Sequence, residues 1–493
     1  MFLLPCLAVA LLVRIFFFNG PSLHDDVNYW MQSIATGLDN SWPPPPTHWH
    51  TRIGFVLPCA LLIKIFGLKL WTPYLFTMLG GMLEVALTYL IAREFVSEKA
   101  ARLATWLCAF FPLNILYSSY LYVDLWSGLL GALSLFFWYR ALRSDHARDF
   151  ALASFFVGLS WLFRETVVML APIFLALWVQ AGRWRRPKIF FALPPALLLL
   201  GGEMLLYQIT AHNWHYRFDA IFDSKAQMLE GVTADGSFLF TPLKLLLTSH
   251  ELGLFLVMGL IVAATGWRRV PTALVLWLGV GFAWFSWGTT TPGGWVTMQR
   301  DPRYLSVLTI PCVTLLAAWL TGLRSGFWRC AFLTVLVASG IFGAALDLGS
   351  AKLSACRAFL ASEFNREETT LEPNVYFGAR AAQNFAPADF DCANDLGRVT
   401  TVKLLPHLPG TWFTASDETR YAVFFDDIQP EKWEAKVKDG WRIVKKISGE
   451  KVFAREVAIG ILAELPGQTA KSAAAPGLIV LENPNHDATL ESH

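Results

Sequence analysis

A succession of long apolar segments fills the first 350 residues of the chain and restricts its fold more than any other feature. Several of these segments reach the roughly 20 residues that a helix needs to cross the hydrocarbon core of a bilayer. The composition agrees, because a chain with 55% hydrophobic residues, 16% charged residues and a mean hydropathy of +0.44 is not an ordinary soluble protein. The sequence therefore predicts an α-helical polytopic membrane protein.

Positive charges between the apolar segments predict how the chain is threaded through the membrane. Short connections rich in Lys and Arg stay in the cytoplasm. These connections are Arg93–Arg102, Arg140–Arg148, Arg183–Lys188, Trp267–Arg269 and Arg324–Arg329. Joining them on one side requires about eleven spans, near 1–18, 70–92, 103–121, 125–141, 150–163, 166–181, 189–210, 250–266, 270–287, 303–322 and 327–347. The polar segments 19–69, 211–249 and 288–302, and the chain after Gly349, are then predicted to face outward.

One apolar stretch is predicted not to cross. Ile53–Gly67 has about fifteen residues, fewer than a span needs, and contains Pro58 and Lys64. Counting it as a crossing would place every later basic connection on the wrong side. We therefore expect it to lie along the outer membrane surface, as we expect for the amphipathic run Val27–Leu38.

The character of the chain changes after Ser350. Hydrophobic runs become short and alternating, which is typical of strands, at Asn374–Gly378, Arg420–Phe425 and Trp441–Val444, the last with a return strand at Lys451–Ala454. We predict a membrane domain over 1–349 and a small extracytoplasmic α/β domain over 350–464. Residues 465–493 are rich in Ala, Pro, Gly and Asn and are predicted to be a disordered tail.

Charged residues at three places on the predicted outer face are candidates for a site. Asp25 and Asp26 follow the first span, Asp124 lies at the outer end of a later span, and Arg164-Glu165 interrupts an apolar run where the chain turns. Ionisable residues beside a membrane core are costly to desolvate and often mark function. A boundary marker or a local ion pair is the alternative for each place taken alone. The net charge of +2 gives no indication of a nucleic-acid partner.

These residues resemble the motifs of a known superfamily. The chain is similar to membrane glycosyltransferases of the C superfamily (GT-C), near the protein O-mannosyltransferases and the lipid A aminoarabinose transferases. The matching features are the acidic pair Asp25-Asp26, the loop 27–67, Asp124, the turn Gly158–Glu165, and Arg303-Tyr304-Leu305 with Pro311. The resemblance covers about residues 1–325 and implies the GT-C fold, with the active site outside, in a membrane such as the bacterial inner membrane.

The chain departs from the superfamily pattern in the first loop. The second acid of the pair is commonly Glu and is Asp26 here, and the usual Pro-Pro-Leu stretch is replaced by Pro43–Pro46 followed by His48, His50 and Arg52. The resemblance therefore implies the class of reaction and leaves the acceptor open, as a lipid, a glycan or a protein.

Glycosyl transfer gives each candidate residue a possible role. Either Asp25 or Asp26 is expected to serve as the base for the acceptor hydroxyl. The other carboxylate, together with Asp124, is expected to bind a divalent cation or to orient the acceptor. A metal site with Asp25, His48 and His50 as ligands is an option, against the alternative that loop histidines have no specific role. Planar guanidinium groups suit phosphate. The residues expected to bind substrate are Arg52, Arg164, Glu165, His250, Glu251, Arg303 and Tyr304.

The donor is inferred by exclusion. The sequence has no Gly-rich nucleotide loop and no Rossmann-like unit, so a nucleotide sugar has no evident binding place. We therefore predict an inverting glycosyltransferase that transfers a hexose or a pentose from a polyprenyl-monophosphate donor held in the membrane lipid. A divalent metal is the only cofactor considered. The alternatives are a transporter or flippase of lipid-linked sugars and a membrane scaffold. A second acidic motif, Asp417–Ala422, is interpreted as the start of a strand rather than a catalytic element.

Overall fold

The computed structural model describes residues 2–18, 20, 25–38, 42–44, 47–67, 69, 71–182, 187–229, 240–266, 270–288, 301–346, 355–356, 369–371, 420–426, 430–448 and 477–484. The first helices are α1 (Leu3–Phe16), α2 (Asp25–Gly37), α3 (Ile53–Phe66), α4 (Trp71–Ala92), α5 (Glu98–Ala109), α6 (Pro112–Tyr117), α7 (Asp124–Ser144) and α8 (Ala147–Phe163). The next are the 3₁₀ helix η1 (Glu165–Leu170), α9 (Ala171–Ala181), η2 (Pro187–Ala192), α10 (Leu193–Ala211), α11 (Tyr216–Leu229) and α12 (Thr241–Thr248).

The remaining elements complete the membrane region and form a small sheet. They are α13 (Gly253–Gly266), α14 (Thr272–Trp287), η3 (Pro302–Leu308), α15 (Thr309–Gly322), α16 (Gly326–Ala345), α17 (Pro430–Lys438), β1 (Thr369–Leu371), β2 (Tyr421–Phe425), β3 (Arg442–Ser448) and β4 (Gly477–Glu482). The predicted helical class with a small C-terminal sheet is therefore confirmed.

Several helices have the length and composition of membrane spans. In the described part of the chain, five qualify: Trp71–Ala92, Asp124–Ser144, Lys188–Ala211, Pro302–Gly322 and Gly326–Ala345. Shorter apolar helices occupy Leu3–Phe16, Ile53–Phe66, Glu165–Ala181, Gly253–Gly266 and Thr272–Trp287. These segments coincide with most of the predicted spans. The count of about eleven crossings and the surface position of Ile53–Gly67 stay predictions.

The predicted span 103–121 is wrong as one continuous helix. Helix α5 ends at Ala109, and α6 begins at Pro112 and ends at Tyr117. Proline has no backbone N–H to donate to the preceding turn, so it ends one helix and suits the first position of the next. The break leaves a short polar segment ahead of α7, which begins at Asp124.

The chain divides into two compact units. The first contains Met1–Phe18, Trp42–Pro58 and Phe76–Ala344, and the second contains Asn19–Ser41, Cys59–Leu75 and Ala345–His493. In the first unit α7 packs against α8, and α15 packs against α5 and α13. The largest apolar side chains buried there include Trp277, Phe255 and Phe111. The second unit therefore combines two parts of the predicted outer loop with the C-terminal region.

The sheet of the second unit has the strand order β1-β2-β4-β3. Strand β1 pairs with β2 in parallel, whereas β4 pairs antiparallel with both β2 and β3. The predicted strand at Arg420–Phe425 is confirmed as β2. The predicted strand at Trp441–Val444 overlaps β3, which pairs with β4. The predicted strands at 374–378 and 451–454 lie outside the described residues.

The predicted disordered tail 465–493 is wrong for Gly477–Glu482, which forms β4. Its apolar residues Leu478, Ile479, Val480 and Leu481 are all buried. A strand that pairs on both edges and is buried on both faces has a continuous apolar sequence rather than an alternating one. In this chain that apolar sequence is short and lies within a segment rich in Ala, Pro, Gly and Asn, so it does not stand out. The average composition of the tail therefore concealed a central strand.

Candidate active site

The start of α7 packs directly against η3, and this contact positions the centre of the candidate site. Gly128 of α7 makes the approach possible, because a Cβ atom at this position would lie 2.9 Å from the backbone nitrogen of Val307. The hydroxyl of Ser306 donates a hydrogen bond of 2.8 Å to the backbone carbonyl of Asp124. The contact thus holds Asp124 close to the polar residues at the start of η3.

Arg164 joins Asp124 to Tyr304. It ends α8 with an extended backbone (φ −157°, ψ 133°), and its side chain is buried. Its Nη1 forms an ion pair with Oδ1 of Asp124, and its Nη2 donates a hydrogen bond of 2.7 Å to the Tyr304 hydroxyl. The guanidinium carbon lies 4.3 Å from the centroid of the Tyr304 ring, a cation–π geometry. Within the described part of the chain Nε of Arg164 has no hydrogen-bond partner, and a buried donor of this kind calls for a ligand or water.

Arg303 brings a second positive charge to the same place. Its Nε lies 3.1 Å from Oδ2 of Asp301 and 3.9 Å from Oδ2 of Asp124. Its guanidinium carbon is 5.0 Å from the centroid of the Tyr122 ring and 5.6 Å from that of Tyr304. The name Tyr304 cluster is used below for Asp124, Arg164, Asp301, Arg303 and Tyr304.

Asp301 differs from the other carboxylate of the Tyr304 cluster. Its side chain is 31% exposed, against 4% for Asp124. Its Oδ1 accepts a hydrogen bond of 3.1 Å from the backbone N–H of Arg303 and so caps η3. Partial burial raises the pKa of the Asp301 carboxyl, while the Arg303 guanidinium acts in the opposite direction. Asp301 is thus a capping residue and a counter-ion at once.

Two cavities meet at Tyr304 and Phe285, which line both. The first encloses about 340 Å³ including its opening. Most of its wall is apolar, with Asp301 as the charged exception, and includes Leu245, Leu246, Leu252 and Phe282. The second encloses about 290 Å³ and contains Asp124. An apolar space beside a few converging polar groups is the usual form of a small-molecule site.

Glu165 anchors a second charged group next to Arg164. Arg52 Nη2 lies 3.4 Å from its Oε1, and Arg217 Nη2 lies 3.8 Å from its Oε2. Glu165 lies between the predicted spans 150–163 and 166–181. Burial raises the pKa of its carboxyl, but the guanidinium groups of Arg52, Arg164 and Arg217 outweigh this effect and lower the pKa to about 2. Glu165 is therefore ionised at neutral pH.

Arg217 connects this group to α10. Its Nη1 lies 2.5 Å from Oε1 of Glu203, and its Nη2 donates a hydrogen bond of 2.7 Å to the backbone carbonyl of Trp161. The indole Nε1 of Trp161 donates a hydrogen bond of 2.7 Å to Oε2 of Glu203. The name Glu165 cluster is used below for Arg52, Trp161, Glu165, Glu203 and Arg217. The cluster fixes the segment that carries Arg52 against α8 and α10.

The predicted pair His250-Glu251 precedes α13. The Tyr117 hydroxyl donates a hydrogen bond of 2.8 Å to Oε2 of Glu251. The Tyr117 ring lies 5.7 Å from that of Tyr122, which in turn contacts Arg303. Glu251 is therefore linked to the Tyr304 cluster through two tyrosines, and the partly buried His250 precedes it in the chain.

Asp25 and Asp26 belong to the second unit, where they form the first turn of α2. The partial positive charge of a helix N-terminus stabilises carboxylates at this position. Both are buried, with 6% of Asp25 and 0% of Asp26 exposed. The Tyr74 hydroxyl donates a hydrogen bond of 3.3 Å to Oδ2 of Asp26. Of the two carboxylates, Asp25 is the more accessible.

The predicted metal ligands were Asp25, His48 and His50. In the part of the chain that the structure describes, no group of three or more His, Cys, Asp or Glu side chains is placed to hold a metal ion. The His48 ring lies 3.7 Å from the ring of Trp49, and His50 is buried. The metal site stays a prediction, and no step below is assigned to a bound cation.

Comparisons of the sequence and the fold with known proteins show what this chain is similar to. The family model described as dolichyl-phosphate-mannose-protein mannosyltransferase matches residues 53–201. ArnT from Cupriavidus metallidurans bound to undecaprenyl phosphate aligns over 97% of this chain and 97% of that chain, with a TM-score of 0.56 and 14% identity. The chain has the GT-C fold. The resemblance predicted from the short motifs is thereby confirmed.

Other solved structures align less closely. ArnT from the same organism in the apo state aligns with a TM-score of 0.49 and 16% identity, over 74% of this chain and 66% of that chain. The oligosaccharyltransferase of Archaeoglobus fulgidus tethered with an acceptor peptide aligns with a TM-score of 0.46 and 14% identity, over 86% of this chain and 69% of that chain. No curated protein sequence matches the chain significantly.

Sequence reasoning missed two residues of the candidate site, Asp301 and Arg217. Asp301 stands next to the recognised Arg303-Tyr304 motif, and an Asp-Pro pair ahead of a helix is a capping signal. Glu203 was an ionisable residue inside an apolar span, and such a residue requires a buried partner. Arg217, shortly after that span, was available in the sequence to fill this role.

Proposed function

We propose that the chain is an inverting glycosyltransferase that moves a sugar from a polyprenyl-monophosphate donor to an acceptor on the extracytoplasmic face of the membrane. The observation that carries this proposal is the Tyr304 cluster, in which two buried guanidinium groups contact the ring of Tyr304, a residue that lines an apolar cavity. A polyprenyl-phosphate sugar has the complementary parts, an isoprenoid tail and an anionic phosphate. The family match and the bound undecaprenyl phosphate of the ArnT neighbour support the same donor class.

The Tyr304 cluster is suited to the departing phosphate. Arg164 has a buried Nε without a hydrogen-bond partner among the described residues, and Arg303 also lies against the Tyr304 ring. Charge-assisted hydrogen bonds from guanidinium to phosphate oxygens strengthen as negative charge develops on the leaving group. Asp124 orients Arg164 through their ion pair. The cluster would therefore stabilise the transition state as well as hold the donor.

The reaction itself requires a base. The acceptor hydroxyl attacks the anomeric carbon from the face opposite the phosphate and transfers its proton to a carboxylate. A new C–O bond forms, the C–O bond to the phosphate breaks, and its electron pair stays on the phosphate oxygen. We assign the base to Asp25, because Asp26 is fully buried and held by Tyr74. Partial desolvation of Asp25 suits proton transfer.

The test combines donor consumption with a single variant. Membranes that contain the protein are incubated with a panel of radiolabelled polyprenyl-phosphate sugars, and consumption of one of them identifies the sugar. Asp25→Asn should reduce turnover by a factor of roughly a hundred, the usual scale for loss of a general base, with donor binding nearly intact.

Asp439→Asn is the matched control, since Asp439 is an exposed aspartate of the same unit. Its turnover should equal that of the wild type. If Asp25→Asn stays active and Asp26→Asn is inactive, the assignment within the pair is reversed. If both stay active, the catalytic assignment fails. Transport of a lipid-linked sugar without its consumption would favour a flippase instead.

A further inference from the structure

The two charged clusters contain as many carboxylates as guanidinium groups. Their cations are Arg52, Arg164, Arg217 and Arg303, and their anions are Asp124, Glu165, Glu203 and Asp301. Each guanidinium group has a carboxylate oxygen within 3.4 Å. A phosphate that enters this site therefore meets cations that are already neutralised. It has to bind beside a carboxylate or take the place of one.

The four carboxylates differ in how easily they can be displaced. The side chains of Asp124 and Glu203 are 4% exposed and that of Glu165 is 17% exposed, whereas that of Asp301 is 31% exposed. Separating a buried pair leaves an uncompensated charge in a low-dielectric environment, which is strongly unfavourable. Asp301 is the most exposed of the four carboxylates, so its release from Arg303 has the lowest cost. It also lines the apolar cavity that meets Tyr304.

We infer that Asp301 is an exchangeable counter-ion of Arg303, which the phosphate of the lipid donor displaces, and that this competition sets the affinity of the site for the phosphate. The inference rests on the proposed function, since it assumes a lipid phosphate at the Tyr304 cluster. Arg303 changes partner from one anion to another, and the hydrogen bond from its backbone N–H to Asp301 Oδ1 ties the displaced carboxylate to the site.

The same exchange acts on the product. The donor is a phosphodiester with a single negative charge, while the released polyprenyl phosphate is a monoester whose second ionisation lies near neutral pH. The monoester therefore binds guanidinium groups more tightly than the diester. Return of the Asp301 carboxylate to Arg303 opposes this tighter binding and favours release of the product.

The test measures binding of undecaprenyl phosphate to the purified full-length protein in detergent, by titration. Asp301→Asn removes the charge but keeps a side-chain oxygen that can accept the capping hydrogen bond from the Arg303 N–H. We expect undecaprenyl phosphate to bind this variant about fivefold more tightly than the wild type, the scale of a partly exposed ion pair. In turnover, the KM for the donor and the kcat should both fall, because the product leaves more slowly.

Two further variants make the result specific. Glu98→Gln removes a carboxylate that pairs with Arg93 and Arg102 at the surface, and it should bind undecaprenyl phosphate as the wild type does. In an Arg303→Gln background, Asp301→Asn should no longer change the affinity, because the competition has lost its cation.

The outcomes separate the inference from the proposed function. Equal or weaker binding by Asp301→Asn, in a protein whose wild type binds undecaprenyl phosphate, overturns the inference alone. An effect of Asp301→Asn that persists in the Arg303→Gln background also overturns it. Absence of saturable binding to the wild type contradicts the proposed function and removes the basis of the inference with it.

Discussion

The first unit contains a second set of buried charges that contrasts with the Tyr304 cluster. Arg14 of α1, Glu84 of α4, and Asn114 and Ser118 near α6 form this set, called here the Arg14 cluster. Arg14 donates to the side chains of Asn114 and Ser118 and to the backbone carbonyls of Ala10 and Ala109. Asn114 in turn donates to Glu84.

The Arg14 cluster is buried, and the hydrogen-bond donors of its guanidinium group are satisfied. Each nitrogen of the Arg14 guanidinium has an acceptor, and 0% of Arg14 and 1% of Glu84 is exposed. Neither cavity at Tyr304 is lined by these residues. One of its acceptors, the Ala109 carbonyl, lies where α5 ends before Pro112, and backbone groups freed by such a break must be satisfied within the protein. The cluster thus stabilises the break between α5 and α6.

The Tyr304 cluster has the opposite properties. It has a buried donor without a partner in the described residues, a carboxylate that is one-third exposed, and two adjoining cavities. Burial of charge is common to both clusters and therefore does not identify a site. An unmatched donor and adjoining cavities distinguish the Tyr304 cluster, for which we propose phosphate binding, from the Arg14 cluster.

The largest expected effect of this contrast concerns Arg14. Arg14→Ala removes the donor to four acceptors and leaves Glu84 without the nearby guanidinium, which should cost roughly 3–5 kcal/mol. We expect little monodisperse protein after size-exclusion chromatography in detergent. Arg102→Ala, at an exposed pair with Glu98, is the control and should purify normally. Wild-type yield and melting temperature for Arg14→Ala would show that the Arg14 cluster has no structural role.

A medium effect is expected at the Tyr304 cluster. Arg164→Lys and Arg303→Lys keep the charge but lose the planar fork, so affinity for the donor should fall about tenfold while the protein still folds. The measurement is titration of undecaprenyl phosphate, with Arg102→Lys as the control. Unchanged affinity in both variants would remove these two residues from the phosphate site.

The third expected effect is a pH dependence at Glu165. Its pKa is about 2 in the folded protein, against an ordinary value of 4.5. A lowered pKa in the folded state stabilises the fold above pH 4.5, and this contribution is lost as the pH falls towards 2. Glu165→Gln should therefore melt at a lower temperature than the wild type at pH 7, with a smaller difference at pH 3.

Glu434→Gln, at an exposed position of α17, is the control for this comparison and should melt as the wild type does at both pH values. A difference between Glu165→Gln and the wild type that stays constant from pH 7 to pH 3 would contradict the role assigned to the three neighbouring guanidinium groups.

The sequence predicted the helices better than their interruptions. Apolar length and basic connections located segments such as Trp71–Ala92 and Gly326–Ala345, because these signals are local. The break at Pro112 was overlooked because the apolar pattern continues across it. The strand at Gly477–Glu482 was missed because the need for it arises from its partners β2 and β3, which lie elsewhere in the chain.

For the candidate site, the sequence predicted the residue types but not their pairing. Asp124, Arg164 and Arg303 were expected on one face, and the structure brings all three into contact. The pairing of Glu165 with Arg52 and Arg217 depends on contacts between distant segments, which no local pattern encodes. The catalytic and metal-binding roles assigned to Asp25, His48 and His50 stay predictions.

The strand order β1-β2-β4-β3 has a consequence for the time course of synthesis. Strands β2 and β3 are neighbours along the chain but are not hydrogen-bonded to each other, since both pair with β4. Until residues 477–482 leave the ribosome, each therefore exposes an unpaired strand edge, the feature that promotes association between nascent chains. The sheet can therefore close only after its last strand has been made, whereas each preceding helix forms its backbone hydrogen bonds within one segment.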